Sequence, residues 1–198
     1  MLDREIFCLF ETEWGWMGAV QGENGFRRIV LPSERSQVLA DISSSHPVAA
    51  EDPSPQPELS ALFNDYFLGT GRSVSLDLDW SGHSAFSILV WRAAQSIAWG
   101  EVRTYQQLSG AVGHPTACRA VGTALGRNPF PLVVPCHRIV HSDGSLGGFS
   151  APSGIALKRR LLEREGVSFD RRGRVVNVVS SLLTVHCKNK RADRILCQ

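Results

Sequence analysis

Near the start of the chain, apolar residues gather in three short runs: Ile6-Phe7-Cys8-Leu9-Phe10, residues 16–20 and residues 26–31. They are separated by Glu13-Trp14-Gly15 and by Gly22-Glu23-Asn24-Gly25, the second of which carries a turn signal, so the pattern predicts a small antiparallel meander. A helix over residues 34–43 is expected next. His46-Pro47 and Pro53-Ser54-Pro55-Gln56-Pro57 then predict a loop without regular structure, because proline fixes φ and lacks an N–H. Leu59, Leu62, Phe63, Tyr66 and Phe67 recur at helical spacing, which predicts a helix over residues 57–68 stopped by Gly69 and Gly71. Residues 74–78 alternate apolar and polar like a strand, and Trp80-Ser81-Gly82 marks a domain boundary near residues 80–83.

The second half changes period. Phe86, Leu89, Val90, Ala93, Ala94 and Ile97 predict a helix over residues 84–98, ended by Trp99-Gly100. Thr104 is a candidate cap for a short helix opening on Tyr105-Gln106-Gln107-Leu108. Past the Gly113-His114-Pro115 turn, residues 116–125 predict a second short helix of small side chains, among them Ala117, Cys118, Ala120, Gly122, Thr123 and Ala124. Two short helices about a glycine-containing turn form a helix-turn-helix candidate. A helix without bulk can press against another backbone or a groove, and Arg119 is its one long cation. Leu132-Val133-Val134 reads as a short buried strand. His141-Ser142-Asp143-Gly144 reads as a turn, and Leu146-Gly147-Gly148-Phe149-Ser150 as a flexible loop. A helix from residue 152 or 153 to 165 follows, with Ile155, Leu157, Leu161 and Leu162 facing inward and Gly166 as the stop, and then a hairpin over 169–176. Together these elements give an α+β fold: residues 1–81 as a small antiparallel-sheet and helix domain, 82–178 as a mainly helical domain, and 179–198 as a basic extension.

Composition adds limits. With 43% hydrophobic and 20% charged residues over 198 positions, the chain has enough apolar surface for a proper core and is neither disordered nor fibrous. No apolar run reaches the length of a membrane span, and the N-terminus lacks the basic start and apolar stretch of a signal peptide, so a cytosolic protein is expected. The formal charge of +2 conceals an asymmetry. Residues 1–79 carry 5 basic and 13 acidic side chains, a net of −8, whereas residues 80–198 carry 16 and 6, a net of +10. One half is suited to a polyanion. Lys188, Lys190, Arg191 and Arg194 make residues 180–198 a candidate arm for phosphate contacts or a docked helix.

Five cysteines, at 8, 118, 136, 187 and 197, form no C-x-x-C pair, which argues against disulfide frameworks and zinc fingers. A metal held by Cys136, His137 and His141 would require adjacent residues to aim at one centre, so no metal and no cofactor are expected. Cys136, inside Pro135-Cys136-His137-Arg138-Ile139, is different in kind. Flanking His and Arg create an electropositive setting that favours the thiolate, the form that attacks electrophiles.

That pentapeptide, the upstream Asn128-Pro129, the Thr104-Tyr105-Gln106-Gln107-Leu108 segment, Arg119-Ala120-Val121-Gly122 and the stretch from Lys158 to Glu165-Gly166 resemble, in order and spacing, the O6-alkylguanine-DNA alkyltransferases. The resemblance is strong over residues 84–167, weak over 1–80, and does not extend to 180–198. It implies a winged-helix-like second domain and direct reversal of DNA damage: Cys136 takes the alkyl group from guanine O6 and keeps it, one molecule per lesion. Double-stranded DNA carrying O6-alkylguanine would be the partner of a monomeric protein. His137, oriented by Glu165, would accept the thiol proton through a water. The small-residue helix would enter the minor groove through Ala117, Arg119, Ala120, Gly122 and Thr123, with Arg119 taking the place of the extruded base. Tyr105 would crowd the 3′ phosphate and present its hydroxyl to the guanine, and Asn128 would brace the turn to the thiol. Pro131, Ile139 and Ser150 would complete the pocket, the Ile139 and Cys136 carbonyls reading the guanine amino group. Cys118 and Thr123 stand where smaller residues are usual, and Phe149 where some relatives carry Tyr. A non-catalytic lesion-binding relative would lack the acceptor cysteine, and a Cys/His hydrolase would need a base distant in sequence and an oxyanion site.

Overall fold

The structure, a computed structural model, describes residues 5–54, 56–151 and 153–178. The basic extension over residues 180–198, with its arm-or-helix alternative, lies outside the described residues.

The predicted meander forms. Strands β1 (Ile6–Thr12), β2 (Gly15–Gly22) and β3 (Gly25–Ser33) pair in antiparallel succession. Helix α1 (Arg35–Ser45) follows, its Val38 and Ile42 packing on one face of the sheet with Phe7, Val20 and Val30. The proline-rich stretch departs from expectation. Ala50–Glu51 forms a short strand β4 parallel to β1 at Ile6 and Phe7, giving the order β3-β2-β1-β4. Edge position explains it: β4 lies between the two proline clusters and needs pairing on one side only. Helix α2 (Pro57–Leu68) has the predicted bounds, with proline in its first turn and Gly69 in the left-handed conformation at its end.

Residues 74–78 do not form the expected strand. They are held by an isolated bridge between Phe26 and Leu78, with Phe26 N–H donating to the Asp77 carbonyl at 2.8 Å and Asp79 N–H to that of Phe26 at 2.8 Å. The contact stops at Phe26, and farther along the β3 edge Ile29 N–H pairs with the Pro129 carbonyl instead.

Helix α3 (Ala85–Gln95) is capped by Ser84, whose hydroxyl accepts from Ser87 N–H. Strand β5 (Arg103–Thr104) leads into α4 (Tyr105–Ala111), where Thr104 and Gln107 form a reciprocal capping box. Helix α5 (Cys118–Gly126) buries Val121, Ala124 and Leu125 and leaves Arg119, Ala120 and Thr123 exposed. Strand β6 (Ile139–Val140) pairs in parallel with β5, and both belong to segments the apolar pattern left unassigned. Helix α6 (Gly154–Arg164) buries Leu157, Leu161 and Leu162 as expected, but Ile155 is 53% exposed and Lys158 takes the inward place. At the end of the described chain, the expected hairpin is a tight turn, with an isolated bridge between Phe169 and Val175.

The two halves share one core. Phe10, Met17, Ile29, Phe63, Tyr66 and Phe67 pack in the same cluster as Trp91, Leu108, Val121, Phe130, Ile139 and Leu161. Backbone crosses too: Ile29 N–H donates to the Pro129 carbonyl at 2.8 Å. Trp14 stacks on Phe67 and also lies under the Arg160 guanidinium.

The hairpin tip sets a test. Gly25 has φ of +127° and a Cβ there would lie 2.5 Å from the Asp77 carbonyl oxygen, whereas Gly113 at φ +78° has nothing within 4 Å. Gly25→Ala should lower unfolding free energy by about 2–3 kcal/mol and Gly113→Ala by only about 1, measured by urea denaturation. Equal losses would show that the Asp77 contact is not what constrains Gly25.

Candidate active site

The thiol is delivered by a turn, not by the expected strand. Leu132 has φ of 71°, a left-handed conformation rare for a bulky residue, and Val134 N–H donates back to the Phe130 carbonyl at 2.7 Å. The apolar run Leu132-Val133-Val134 is buried because it plugs the core, and its chain reverses there instead of pairing. Asn128 holds this reversal. Its Oδ1 accepts from Phe130 N–H at 3.0 Å, while its Nδ2 donates to the Val134 carbonyl at 2.9 Å and to Cys136 Sγ at 3.2 Å.

Cys136–Arg138 then form one turn of 3-10 helix. Three residues per turn send three consecutive side chains in three directions. Cys136 reaches a cavity; His137 and Arg138 turn inward, where both are buried. His137 Nε2 lies 2.9 Å from Glu165 Oε1, and Arg138 donates to both carboxylate oxygens at 2.8 Å and from Nη1 to the Ile97 carbonyl at 2.6 Å. Glu165, at the C-terminal cap of α6, is 4% exposed and also faces Gly100 N–H at 3.3 Å and the Tyr66 hydroxyl at 2.6 Å. The expectation that flanking His and Arg charges favour the thiolate is therefore corrected. Arg138 spends its charge on Glu165, away from the sulfur.

Electrostatics follow from that packing. Burial alone would push the Glu165 carboxyl up, but hydrogen bonds and charge from His137 and Arg138 outweigh it and hold the pKa to about 2. Burial drives the His137 imidazole below its usual value against the pull of Glu165, so it rests neutral near pH 7. Because an ionised carboxylate can only accept, the proton sits on Nε2, and Nδ1 is left as a buried lone pair with no partner among the described residues. Burial also raises the Cys136 thiol, opposed by the Asn128 hydrogen bond and the charge of Lys158. The resting sulfur is a thiol that needs a base. Lys158 is itself buried, lowered to about 8 by desolvation, and donates to the Leu146 and Ile139 carbonyls, tying the loop after β6 to α6.

The cavity has a volume of about 480 Å³. Cys136, Asn128 and Pro131 form one wall, Tyr105 and the α5 residues Arg119 and Gly122 another, and Ser150 with Phe149 the loop side. Seven of the site residues that the resemblance implied, Tyr105, Arg119, Gly122, Asn128, Pro131, Cys136 and Ser150, thus meet at one cavity. A Cβ at Gly122 would make only an ordinary contact with the Tyr105 ring, at 3.8 Å. Ala120 and Thr123 on α5 and Ala117 at its N-cap lie outside the lining, and His137 and Glu165 stand behind the thiol. The Ile139 side chain is fully buried, not in the pocket wall, and its carbonyl already accepts from Lys158. His141 does line the cavity, with its ring 5.2 Å from that of Tyr105, but it is apart from the buried His137, and no metal-binding group of three His, Cys, Asp or Glu occurs among the described residues.

Known proteins resemble this chain in sequence and fold. Residues 85–167 match the family described as the 6-O-methylguanine DNA methyltransferase DNA-binding domain. A methylated-DNA–protein-cysteine methyltransferase of Sulfurisphaera tokodaii is 44% identical over 121 residues, covering 56% of this chain and 74% of that protein. The chain belongs to this family. It is also 32% identical over 172 residues to the bifunctional transcriptional activator/DNA repair enzyme Ada of Escherichia coli, over 83% of this chain and 46% of Ada, so it spans less than half of that relative. Mycobacterium tuberculosis OGT, solved in complex with DNA, superposes with a TM-score of 0.66 at 31% identity, over 80% of this chain and 91% of that one. O6-methylguanine-DNA methyltransferase from Pyrococcus kodakaraensis gives 0.66 at 30% identity, over 82% and 100%.

Two participants in this alkyltransferase-family site escaped the sequence reading. Tyr66 was taken as one apolar residue of α2, although a buried tyrosine hydroxyl must find a partner and that need was a usable signal. Lys158 interrupts the buried stripe of α6, and a lysine at a core position was the other.

Glu165→Gln should lower stability by about 3–5 kcal/mol, because it strands the buried Arg138 charge. The wild-type carboxylate is depressed from 4.5 to about 2, so its contribution is present above pH about 4.5 and is lost as pH falls toward 2. Thermal melts across that window should show the loss in the wild type and a smaller slope in Glu165→Gln; parallel curves would refute the assignment.

Proposed function

We propose that the chain repairs DNA by direct reversal, moving an alkyl group irreversibly from guanine O6 to Cys136 in a single turnover. The observation that carries this reading is the thiol on the wall of an open cavity, backed by a neutral imidazole whose lone pair is buried on its own side of a carboxylate-fixed ring. His137 Nδ1 accepts the thiol proton through one water, which suits adjacent residues that cannot bond directly. Sulfur then attacks the alkyl carbon, the C–S bond forms, the C–O6 bond breaks, and the electron pair remains on the guanine. Burial and the nearby Cys136 raise the Tyr105 hydroxyl, keeping it protonated at neutral pH and able to donate to the departing O6. Asn128 holds the sulfur and braces the turn that presents it. Pro131 and Ser150 bound the alkyl group, and the Cys136 carbonyl, with the second lone pair of the Ile139 carbonyl beside Lys158, reads the guanine amino group.

The target atom lies inside a stacked duplex, so the base must leave it, at a cost of a few kcal/mol. The exposed face of α5, with Ala117, Ala120, Gly122 and Thr123, supports close approach to the minor groove, and Arg119 projects from it to fill the vacated position. Residues 82–178 bind DNA and accept the alkyl group, residues 1–81 support them, and residues 179–198 form a basic extension. Among the described residues no helix is long and apolar enough to cross a membrane. A lesion-binding protein without transfer chemistry would have no use for a thiol at the cavity wall.

Incubation with duplex DNA carrying a radiolabelled O6-methylguanine should leave the label on protein, and mass spectrometry should find it on Cys136. Cys136→Ala should abolish transfer and retain DNA binding. Label on Cys118, which also lines the cavity, would overturn the assignment. Arg119→Ala should slow repair of the duplex by on the order of tenfold to a hundredfold while sparing reaction with free O6-benzylguanine, since only the duplex needs a replacement in the stack. Equal losses on both substrates would remove Arg119 from base extrusion.

A further inference from the structure

Tyr66 comes from α2, in the half of the chain assigned to support, yet its hydroxyl ends inside the cluster behind the thiol. It donates to Glu165 Oε1 at 2.6 Å and lies 3.2 Å from His137 Nε2, which is itself 2.9 Å from the same carboxylate oxygen. The three groups close a triangle. Its only consistent proton arrangement places the tyrosine hydrogen on the carboxylate and turns the phenolic oxygen toward the Nε2–H. Tyr66 is 1% exposed and its ring is fixed by edge contacts with Phe67 at 5.6 Å and Trp99 at 5.0 Å, so the hydroxyl has little freedom to leave. Burial and the adjacent Glu165 raise its pKa well above the usual value, so it stays a donor throughout the working range. The charged groups around the imidazole are Glu165 and Arg138 beside it and Lys158 from α6.

We infer that Tyr66 is a positioning residue for alkyl transfer: it holds the Glu165 carboxylate and supplies a second acceptor to His137 Nε2–H, keeping the Nδ1 lone pair toward the thiol. The inference rests on the direct-transfer reading and extends it to the N-terminal half, which then contributes to the chemistry as well as to the core. Arg138 anchors both carboxylate oxygens but does not contact the imidazole proton. Tyr66 contacts both, which is why it controls the ring and not only the charge.

The test is Tyr66→Phe, which keeps the ring and its packing. With free O6-benzylguanine, the limiting rate of transfer should fall about tenfold while the half-saturating concentration stays unchanged, as expected when one hydrogen bond to a charged group of the network is removed. In a Glu165→Gln background the same substitution should cost clearly less than in the wild type, because part of its effect passes through the Glu165 carboxylate. In the isolated wild-type protein, 15N NMR should show His137 protonated at Nε2 with a bare Nδ1, and in Tyr66→Phe a mixture of tautomers. A Tyr66→Phe rate equal to wild type, or a full tenfold loss persisting in Glu165→Gln with one His137 tautomer throughout, would overturn the inference and leave Tyr66 as core packing. If the wild type itself transfers no benzyl group, the transfer reading fails, and the NMR comparison still decides whether Tyr66 sets the ring.

Discussion

A buried carboxylate governs this molecule. Glu165 is the point at which α2, the 3-10 turn, the α3–β5 connection and α6 meet, through Tyr66, His137 with Arg138, Gly100 and its own helix end. An ionised carboxylate in the interior must have its lone pairs filled, and each group that fills them fixes a different element. Its position at the end of α6 matters as well, since a helix C-terminus gives a carboxylate no help. The Arg138 guanidinium has to supply that compensation, which is why it faces inward.

The same constraint separates the functions of three adjacent residues. Were Cys136–Arg138 extended, His137 would point to the face opposite Cys136 while Arg138 shared the thiol's face. The tighter 3-10 turn instead exposes the sulfur and buries both neighbours against Glu165. Arg138 is thereby removed as an activator of the thiol, and Asn128 and Lys158 are the groups that oppose the effect of burial on it. The imidazole keeps a low proton affinity for the same reason it can act as a base: it rests neutral, with its one available lone pair directed away from the carboxylate.

Around that fixed centre the cavity is assembled from side chains on rigid supports. Helix α5 is anchored by Val121, Ala124 and Leu125 and by the Trp91 indole N–H on the Ala124 carbonyl at 2.8 Å, leaving its small face outward. Tyr105 is locked at the start of α4 by the Thr104–Gln107 capping box, and Lys158 ties the loop that leads to Ser150. The wall side chains are therefore held in place by the elements behind them.

Much was legible along the chain because it depends on neighbours in sequence. The meander, α2 with its glycine stop, the Thr104 cap and the family blocks around Asn128, Cys136 and Glu165 all follow from local pattern. The strand expected over residues 74–78 did not form, because its contact with the β3 edge stops at Phe26 and Ile29 farther along pairs with Pro129, a partner distant in sequence. The parallel β5–β6 pair and the edge strand β4 were hidden for the converse reason, since two residues carry no period. Ile155 and Lys158 exchanged their expected places because two carbonyls beneath α6 needed a donor, a demand that periodicity cannot express. Composition and motif alone determined that this chain carries a candidate nucleophilic thiol, a candidate base and a basic half. Which atoms face one another, with Arg138 turned from the sulfur and Tyr66 brought 99 residues along the chain to Glu165, was decided only when burial forced every charge to find its partner.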